Sequence, residues 1–152
     1  MSYIGIDPGR KGAIACLRDG GPIIYDMPSS DREILELFYS LRPYAKLVGL
    51  EKQQPYPKQG VNSVFTLGAH YGLLRGFLVV LGLPFIEVHP KTWQAAIFGD
   101  AKNLYGSTPK ERSLKLAKEL FPHIEIGKKD GRADALLIAE YTRRVDKLHQ
   151  KI

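Results

Sequence analysis

Short apolar runs alternate with turn residues through the first part of the chain. These runs occupy residues 3–7, 11–18 and 22–27. Each has the length and composition of a β-strand. Gly9 and the pair Gly20-Gly21 lie between the runs and supply tight turns. The pattern predicts three consecutive antiparallel strands.

After Ser30 the apolar spacing becomes helical, and helices alternate with two further strands. The predicted helices cover 31–41, 62–81, 90–98, 108–121 and 131–148, and the predicted strands cover 45–51 and 84–88. Ser30 is expected to cap the first helix, and Asn62 or Ser63 the second. The segments 52–60, 99–108 and 122–130 are predicted to be loops.

This order of elements predicts an α/β fold in a single domain over residues 1–152. Strands joined by helical crossovers run parallel with a right-handed connection. We therefore expect a five-stranded mixed sheet, with three antiparallel and then two parallel strands, flanked by helices. Functional sites of such sheets lie at strand ends near a topological switch, here between the first strand and the strand that ends at Glu51.

Composition and charge narrow the class of partner. The chain has 152 residues, of which 44% are hydrophobic and 25% charged, as in ordinary globular proteins. The net charge of +6 favours a polyanionic partner such as nucleic acid, although a surplus of lysine for solubility gives the same balance.

Cysteine content and hydropathy bear on the compartment. Cys16 is the only cysteine, so neither an intrachain disulfide nor a cysteine-based zinc site is expected, and an intracellular, cytoplasmic setting is favoured. The sequence before the first strand does not resemble a secretory signal, so none is expected. The longest apolar stretch contains Asn62, His70 and Arg75, so no membrane span is predicted.

Acidic residues end two of the predicted strands. Asp7 precedes Pro8-Gly9, and Glu51 ends the fourth strand. If these strands are neighbours, the two carboxylates lie side by side, which is costly unless a cation or a shared proton relieves the repulsion. The alternatives are an ordinary turn aspartate and a salt bridge from Glu51 to Lys52 or an arginine.

Two further acids stand at the start of the last helix. Asp130 and Asp134 are four residues apart and share one helix face. An apolar run follows Asp134 and must pack on the sheet, so this carboxylate lies near the buried side. Asp130 is either a further ligand or the cap of the helix. Four carboxylates with few histidines predict a site for two Mg²⁺ ions, or Mn²⁺ in their place, that acts on a phosphodiester.

The chain resembles the RuvC family of Holliday junction resolvases, within the RNase H-like superfamily. The matching segments, in family order, are Ile4-Gly5-Ile6-Asp7-Pro8-Gly9, Leu50-Glu51, Leu67-Gly68, Leu74-Arg75-Gly76, Pro90-Lys91 and Ala133-Asp134-Ala135. The resemblance implies that Asp7, Glu51 and Asp134 are catalytic metal ligands. The family's remaining acid precedes the last by three residues, where this chain has Gly131, and Asp130 lies one position further back.

The resemblance also implies contacts to DNA. Lys91 and Lys110 occupy basic positions of the family and are expected to neutralise the scissile phosphate, with solvated lysines as the alternative. Tyr56 is the expected base-stacking residue. Lys58, in the same loop, and Arg112, on the helix of Lys110, complete the predicted DNA contacts.

Glycines recur every four residues on the second helix, at Gly68, Gly72 and Gly76. Each costs helix stability, so close approach of another backbone is expected. The approach is either packing within the subunit or, as the resemblance implies, a two-fold homodimer interface.

These observations predict a Mg²⁺-dependent endonuclease that resolves four-way DNA junctions by paired, symmetric nicks, leaving 5′-phosphate and 3′-hydroxyl ends. Two alternatives remain: an RNase H-like nuclease for structured RNA, and a non-catalytic protein that binds branched DNA. The sequence carries no signal for a branch-migration partner.

Overall fold

A computed structural model describes residues 1–150 of the chain. The strands are β1 (Ser2–Asp7), β2 (Ala13–Leu17), β3 (Ile23–Asp26), β4 (Ala45–Glu51) and β5 (Phe85–Val88). The α-helices are α1 (Asp31–Leu41), α2 (Val61–Val80), α3 (Pro90–Phe98), α4 (Pro109–Leu120) and α5 (Asp130–His149). Two 3₁₀ helices, Arg42–Tyr44 and Gly99–Tyr105, join α1 to β4 and α3 to α4.

The strands form one mixed sheet in the order β3-β2-β1-β4-β5. β1, β2 and β3 pair antiparallel, whereas β4 pairs parallel with β1 and with β5. The predicted five-stranded mixed sheet is confirmed. Its connectivity reverses between β1 and β4, which makes these two strands the topological switch.

Helices cover both faces of the sheet and create two cores. One core joins the sheet to α1 and α2 and includes Ile6, Leu50, Phe38 and Leu74. The other joins it to α3, α4 and α5. Burial of apolar side chains on both faces explains why the central strands read as nearly continuous apolar runs.

Helix α5 lies unusually close to the centre of the sheet because β1 carries a glycine. A Cβ on Gly5 would collide with the backbone of Ala135 and Ala139. Alanines on α5 and a glycine on β1 thus remove the side chains that would hold the two backbones apart. The consequence is that the first turns of α5 reach the end of β1.

The predicted capping of α1 is confirmed, and that of α2 is wrong. Ser30 and Thr108 each form a capping box, with Glu33 and Glu111 respectively. Helix α2 instead begins after Gly60, which offers no side-chain cap. Its start is fixed by the preceding extended backbone, so neither Asn62 nor Ser63 takes the capping position.

The segment 99–108, predicted to be a loop, also differs. Residues Gly99–Tyr105 form a 3₁₀ helix. Tyr105 packs against Phe98, whose ring centroid lies 6.0 Å away, so tertiary contact orders a segment whose sequence lacks helical periodicity.

Helix α2 is docked on one side and open on the other. Only Leu74 and Leu78 are buried, while Val61, Phe65 and Val80 are more than three-quarters exposed. By length and composition alone this helix would suffice to cross a membrane, with 11% of its apolar window buried. An ion pair between Arg75 and Glu87, at 3.0 Å, ties it to β5.

The glycines of α2 lie on its open side. A Cβ added to Gly68, Gly72 or Gly76 would meet no atom within 4 Å among residues 1–150. Packing within the subunit, one of the two explanations for this stripe, is therefore wrong. The homodimer explanation stays a prediction.

Candidate active site

The site is built at the ends of the two switch strands. Ile6 is in register with Leu50, so Asp7 and Glu51 follow as neighbours on parallel strands. Both occupy positions paired with residues of the α5-facing core, Ala13 beside Asp7 and Val88 beside Glu51. Since side chains alternate along a strand, both carboxylates project toward the α5 side of the sheet.

The third carboxylate comes from the first turns of α5, which approach the end of β1. A Cβ on Gly131 would lie 2.5 Å from the Lys11 carbonyl oxygen and 3.1 Å from Asp7 Oδ2. This close contact brings Asp134, one turn further on, toward the strand ends. The contact also explains why this chain has glycine at position 131, where the RuvC family would place an acid. The β1–β2 turn leaves no space there for an aspartate side chain.

Burial and mutual repulsion disfavour the charged forms of all three carboxylates. Burial raises the pKa of Asp7 to about 6, and repulsion from Asp130 adds to this. Burial, together with the charge of Asp7, raises the pKa of Glu51 to about 7. Burial, together with the charges of Asp7 and Glu51, raises the pKa of Asp134 to about 7. These carboxylates are near enough to repel each other, and a cation or a shared proton relieves repulsion of this kind.

The hydrogen bonds of the site leave part of this charge unmatched. Trp93 Nε1 donates to Glu51 Oε2 at 2.6 Å, and the Gly9 amide donates to Asp7 Oδ1 at 3.4 Å. A hydrogen bond from Ser113 opposes the rise in the pKa of Asp134. The Oδ1 atom of Asp134 is nevertheless buried without a hydrogen-bond partner within residues 1–150. Glu51 forms no ion pair with Lys52 or an arginine within residues 1–150, so that alternative is wrong.

The chemistry of the donor set fits a hard divalent cation, but its side chains do not converge into a ligand shell within residues 1–150. All-oxygen donors and an orphaned buried carboxylate oxygen are what Mg²⁺ or Mn²⁺ would satisfy. Nevertheless, within residues 1–150 no three His, Cys, Asp or Glu side chains are arranged to hold a metal ion. Metal binding by Asp7, Glu51 and Asp134 therefore stays a prediction.

Asp130 is not the cap of α5. The capping position belongs to Lys129, and Asp130 is the first helical residue. Its carboxylate is half-exposed and lies 3.7 Å from Lys110 Nζ. Its charge acts on Asp7 and on Asp134, which places it at the rim of the cluster rather than inside it.

The residues predicted to contact DNA lie at different distances from the cluster. Lys110 pairs with Asp130 at the rim of the carboxylate cluster, and Lys91 is exposed in the first turn of α3. Tyr56 and Lys58 are exposed in the loop that follows β4. Arg112 donates to the carbonyl oxygens of Gly106 and Ser107 at 2.8 and 2.9 Å. The last contacts give Arg112 a role in shaping the loop before α4, while its DNA contact stays a prediction.

Sequence reasoning missed several residues around the site. Arg10 and Lys11 form the β1–β2 turn, and Lys128 and Lys129 precede α5. These pairs adjoin the acidic motifs directly in sequence, which was a usable signal. Trp93 was missed because nothing in its local sequence indicates a contact with a residue 42 positions away.

Comparison with known proteins gives matches among solved structures alone. No family model and no curated protein matches the chain. RuvC of T. thermophilus in complex with a Holliday junction substrate superposes with a TM-score of 0.70 at 19% identity, over 98% of this chain and 96% of that chain. A second Thermus thermophilus RuvC structure gives a TM-score of 0.66 at 19% identity, over 98% and 97% of the two chains. The chain thus has the RNase H-like fold of RuvC, as the resemblance predicted.

Proposed function

We propose that this protein is a Mg²⁺-dependent, structure-selective endonuclease that resolves four-way DNA junctions as a homodimer. The observation that carries the proposal is a set of three partly buried carboxylates from β1, β4 and α5 that no basic side chain within residues 1–150 pairs with. A RuvC-like fold supports the proposal, because one structural neighbour was solved with a Holliday junction substrate. An intracellular setting is part of the proposal and agrees with a buried free Cys16.

The chemistry follows from the position of the carboxylates. Asp7, Glu51 and Asp134 would hold the metal, with Asp130 at the rim. When bound there, Mg²⁺ would supply Lewis-acid activation of the attacking water and balance the negative charge of the phosphate. Lys110, and Lys91 on the exposed first turn of α3, would balance the charge of the scissile phosphate.

The open side of α2 supports a homodimer. Phe65, Val61 and Val80 expose apolar surface there, beside three glycines that permit close backbone approach. A two-fold dimer would present two identical sites to the two strands that must be cut in a four-way junction. Phe65→Asp should convert the dimer to a monomer in sedimentation velocity. Leu148→Asp, at an exposed apolar residue on α5, should not, and a wild-type monomer would contradict the dimer.

The decisive experiment titrates Mg²⁺ into protein mixed with a synthetic four-way junction, beside matched linear duplex and structured RNA. Symmetric cuts in the junction, with 5′-phosphate ends, are expected. Asp7→Asn should abolish cleavage while junction binding persists. Asp146→Asn, which removes an acid that is paired with Lys46 at 2.8 Å, is the matched control and should cut normally.

The other outcomes of this experiment separate the alternatives. Preferential cleavage of RNA would assign the site to an RNA-processing nuclease. Junction binding without metal-dependent cleavage would make the protein a non-catalytic binding module. Undiminished cleavage by Asp7→Asn would contradict the proposed site.

A further inference from the structure

A basic cavity of about 390 Å³ opens beside the carboxylate cluster. It lies between the β1–β2 turn, the end of β3 and the start of α5, and also touches α4. Its lining residues are Arg10, Lys11, Gly12, Asp26, Met27, Lys110, Lys128, Lys129 and Asp130. Gly12 and Asp7 Oδ2 both approach Gly131, so the cavity adjoins the proposed catalytic carboxylates directly.

The cations of this basic cavity outnumber its anions. The carboxylate of Asp26 accepts a hydrogen bond from Lys129 Nζ and two from the guanidinium group of Arg132, whose Nε and Nη2 donate at 2.6 and 3.0 Å. These contacts lower the pKa of Asp26, so it stays charged and fixes the β3 end against α5. Arg10, Lys11 and Lys128 form no ion pair within residues 1–150. Their mutual repulsion is left for an external anion to relieve.

The backbone of α5 adds to this attraction. The helix is 20 residues long, and its N-cap, Lys129, makes no side-chain capping bond. The unbonded amides of the first turn therefore carry partial positive charge toward the same cavity. Cationic side chains and a helix N-terminus together make a site suited to a phosphate oxygen.

We propose that the basic cavity binds a backbone phosphate of the DNA. This phosphate lies next to the scissile phosphate in the strand that is cut. This inference rests on the proposed function, and it assigns Arg10, Lys11, Lys128 and Lys129 to substrate binding. Arg132 is a positioning residue that acts through Asp26. A second held phosphate would fix the direction of the strand as it crosses the carboxylates.

The test measures junction binding by fluorescence anisotropy in metal-free buffer at several salt concentrations. Arg10→Gln/Lys128→Gln should weaken binding about tenfold. The slope of log K against log salt should become shallower by about one for each phosphate that the variant no longer binds. Lys118→Gln/Lys147→Gln removes the same charge from sites outside the cavity and should leave the slope near the wild-type value. Circular dichroism checks that both double variants are folded.

Several outcomes would overturn this proposal. Equal reductions in affinity in both double variants would indicate attraction by net charge alone, and an unchanged slope in Arg10→Gln/Lys128→Gln would show that the cavity is not occupied. If the double variant made the slope of log K against log salt change more for structured RNA than for the junction, the cavity would be assigned to RNA instead. Junction cleavage by the wild-type protein is assayed in parallel. Cleavage without the expected effect of the double variant would contradict the phosphate site alone, whereas no cleavage by the wild-type protein would contradict the proposed function.

A separate observation concerns Trp93, the only tryptophan of the chain. Its side chain is fully buried among α3 and α5 residues, and its indole N–H donates to Glu51 Oε2 at 2.6 Å. Burial fixes the ring, so the bond fixes one carboxylate oxygen. The other, Oε1, faces only Gln53 Nε2 at 3.5 Å and stays available to a ligand.

We infer that Trp93 is a positioning residue that orients Glu51 for metal binding. This inference also rests on the proposed metal site. Groups that orient a ligand in this way typically contribute about 10–100-fold to metal affinity. Trp93→Phe should therefore weaken Mg²⁺ or Mn²⁺ binding by that factor in calorimetry on the free protein. Tyr105→Phe removes a hydroxyl from the same aromatic cluster and should bind metal normally.

The single tryptophan also supplies a spectroscopic readout. Titration of the wild-type protein with Mg²⁺ should change its intrinsic fluorescence, and Glu51→Gln should abolish that change, which tests the contact even if Trp93→Phe does not fold. Unchanged affinity in a folded Trp93→Phe protein, or metal binding without a fluorescence change, would overturn the inference. A wild-type protein that binds no metal in calorimetry would instead contradict the proposed metal site itself.

Discussion

The two ends of helix α5 differ in whether their acidic residues have cationic partners. In the half of α5 toward its C-terminal end, Glu140 is held by Arg143 and Arg144 at 2.6 and 2.8 Å, and Asp146 is held by Lys46 at 2.8 Å. Near its N-terminal end, Asp134 has a buried oxygen without a partner and faces the charges of Asp7 and Glu51. A chain with 22 basic residues does not lack cations to pair with these acids. The unpaired carboxylate of Asp134 therefore supports the proposed cation site, whereas Asp130 at the rim pairs with Lys110.

The largest expected effect comes from neutralising the unpaired end. Asp134→Asn should reduce junction cleavage at least about 1,000-fold, because a bound metal contributes several kcal/mol to the transition state and each 1.4 kcal/mol is about tenfold in rate. Single-turnover cleavage at saturating protein measures the effect. Glu140→Gln, at the paired end of the same helix, should change the rate less than about threefold, and equal reductions in rate would remove the functional contrast between the two ends.

The contrast also predicts a pH dependence of stability. Asp7, Glu51 and Asp134 have folded-state pKa values raised to about 6, 7 and 7. Their protonated forms stabilise the fold at pH values below their unfolded pKa values, and this stability is lost as the pH rises through about 7. Without metal, the free energy of unfolding should be about 6 kcal/mol lower at pH 8 than at pH 5 because of these groups.

Urea unfolding at both pH values, with wild type and Asp134→Asn compared, isolates this effect from other titrating groups. The variant should show a smaller loss of stability on going from pH 5 to pH 8. Saturating Mg²⁺ should restore the stability of the wild-type protein at pH 8 more than that of the variant. An identical pH dependence in the two proteins would mean that Asp134 is not strained by charge.

A smaller effect is expected where α5 meets the β1–β2 turn. Gly131→Ala places a Cβ 2.5 Å from the Lys11 carbonyl oxygen, so the turn or the helix must shift. We expect a loss of about 1–3 kcal/mol in the free energy of unfolding, by the usual cost of overpacking. Gly127→Ala is not a suitable control because of its positive φ, whereas Ala133→Gly changes the same turn of α5 without adding volume. Unchanged stability in Gly131→Ala would contradict the close packing that brings Asp134 to the site.

The smallest effect is expected at the paired end. Glu140→Gln leaves the guanidinium groups of Arg143 and Arg144 without a carboxylate, but both arginines are nearly half-exposed and remain hydrated. The free energy of unfolding should fall by about 1 kcal/mol in thermal or urea unfolding. A decrease of more than about 3 kcal/mol would show that the two arginines depend on the buried carboxylate of Glu140 rather than on water.

Several features were predictable because they depend on local chemistry. The strand and helix order, the cap at Ser30, and the adjacency of β1 and β4 followed from periodicity, from capping preferences and from the rules of crossover connection. The start of α2 was not predictable in this way. Asn62 and Ser63 are good capping residues, yet the helix begins at Val61, where the path of the preceding loop places it.

The sequence by itself determined the sheet, the acids at its strand ends and the basic balance that favours a polyanionic partner. Only the tertiary structure decided which groups surround those acids: the indole of Trp93 on Glu51, the absence of space at Gly131, and the basic cavity beside Asp7. It also decided that the glycines of α2 face outward rather than into the core. The reason is physical: hydrogen-bonding patterns and apolar periods act over a few residues, whereas burial and charge at a site are sums over segments that folding alone brings together.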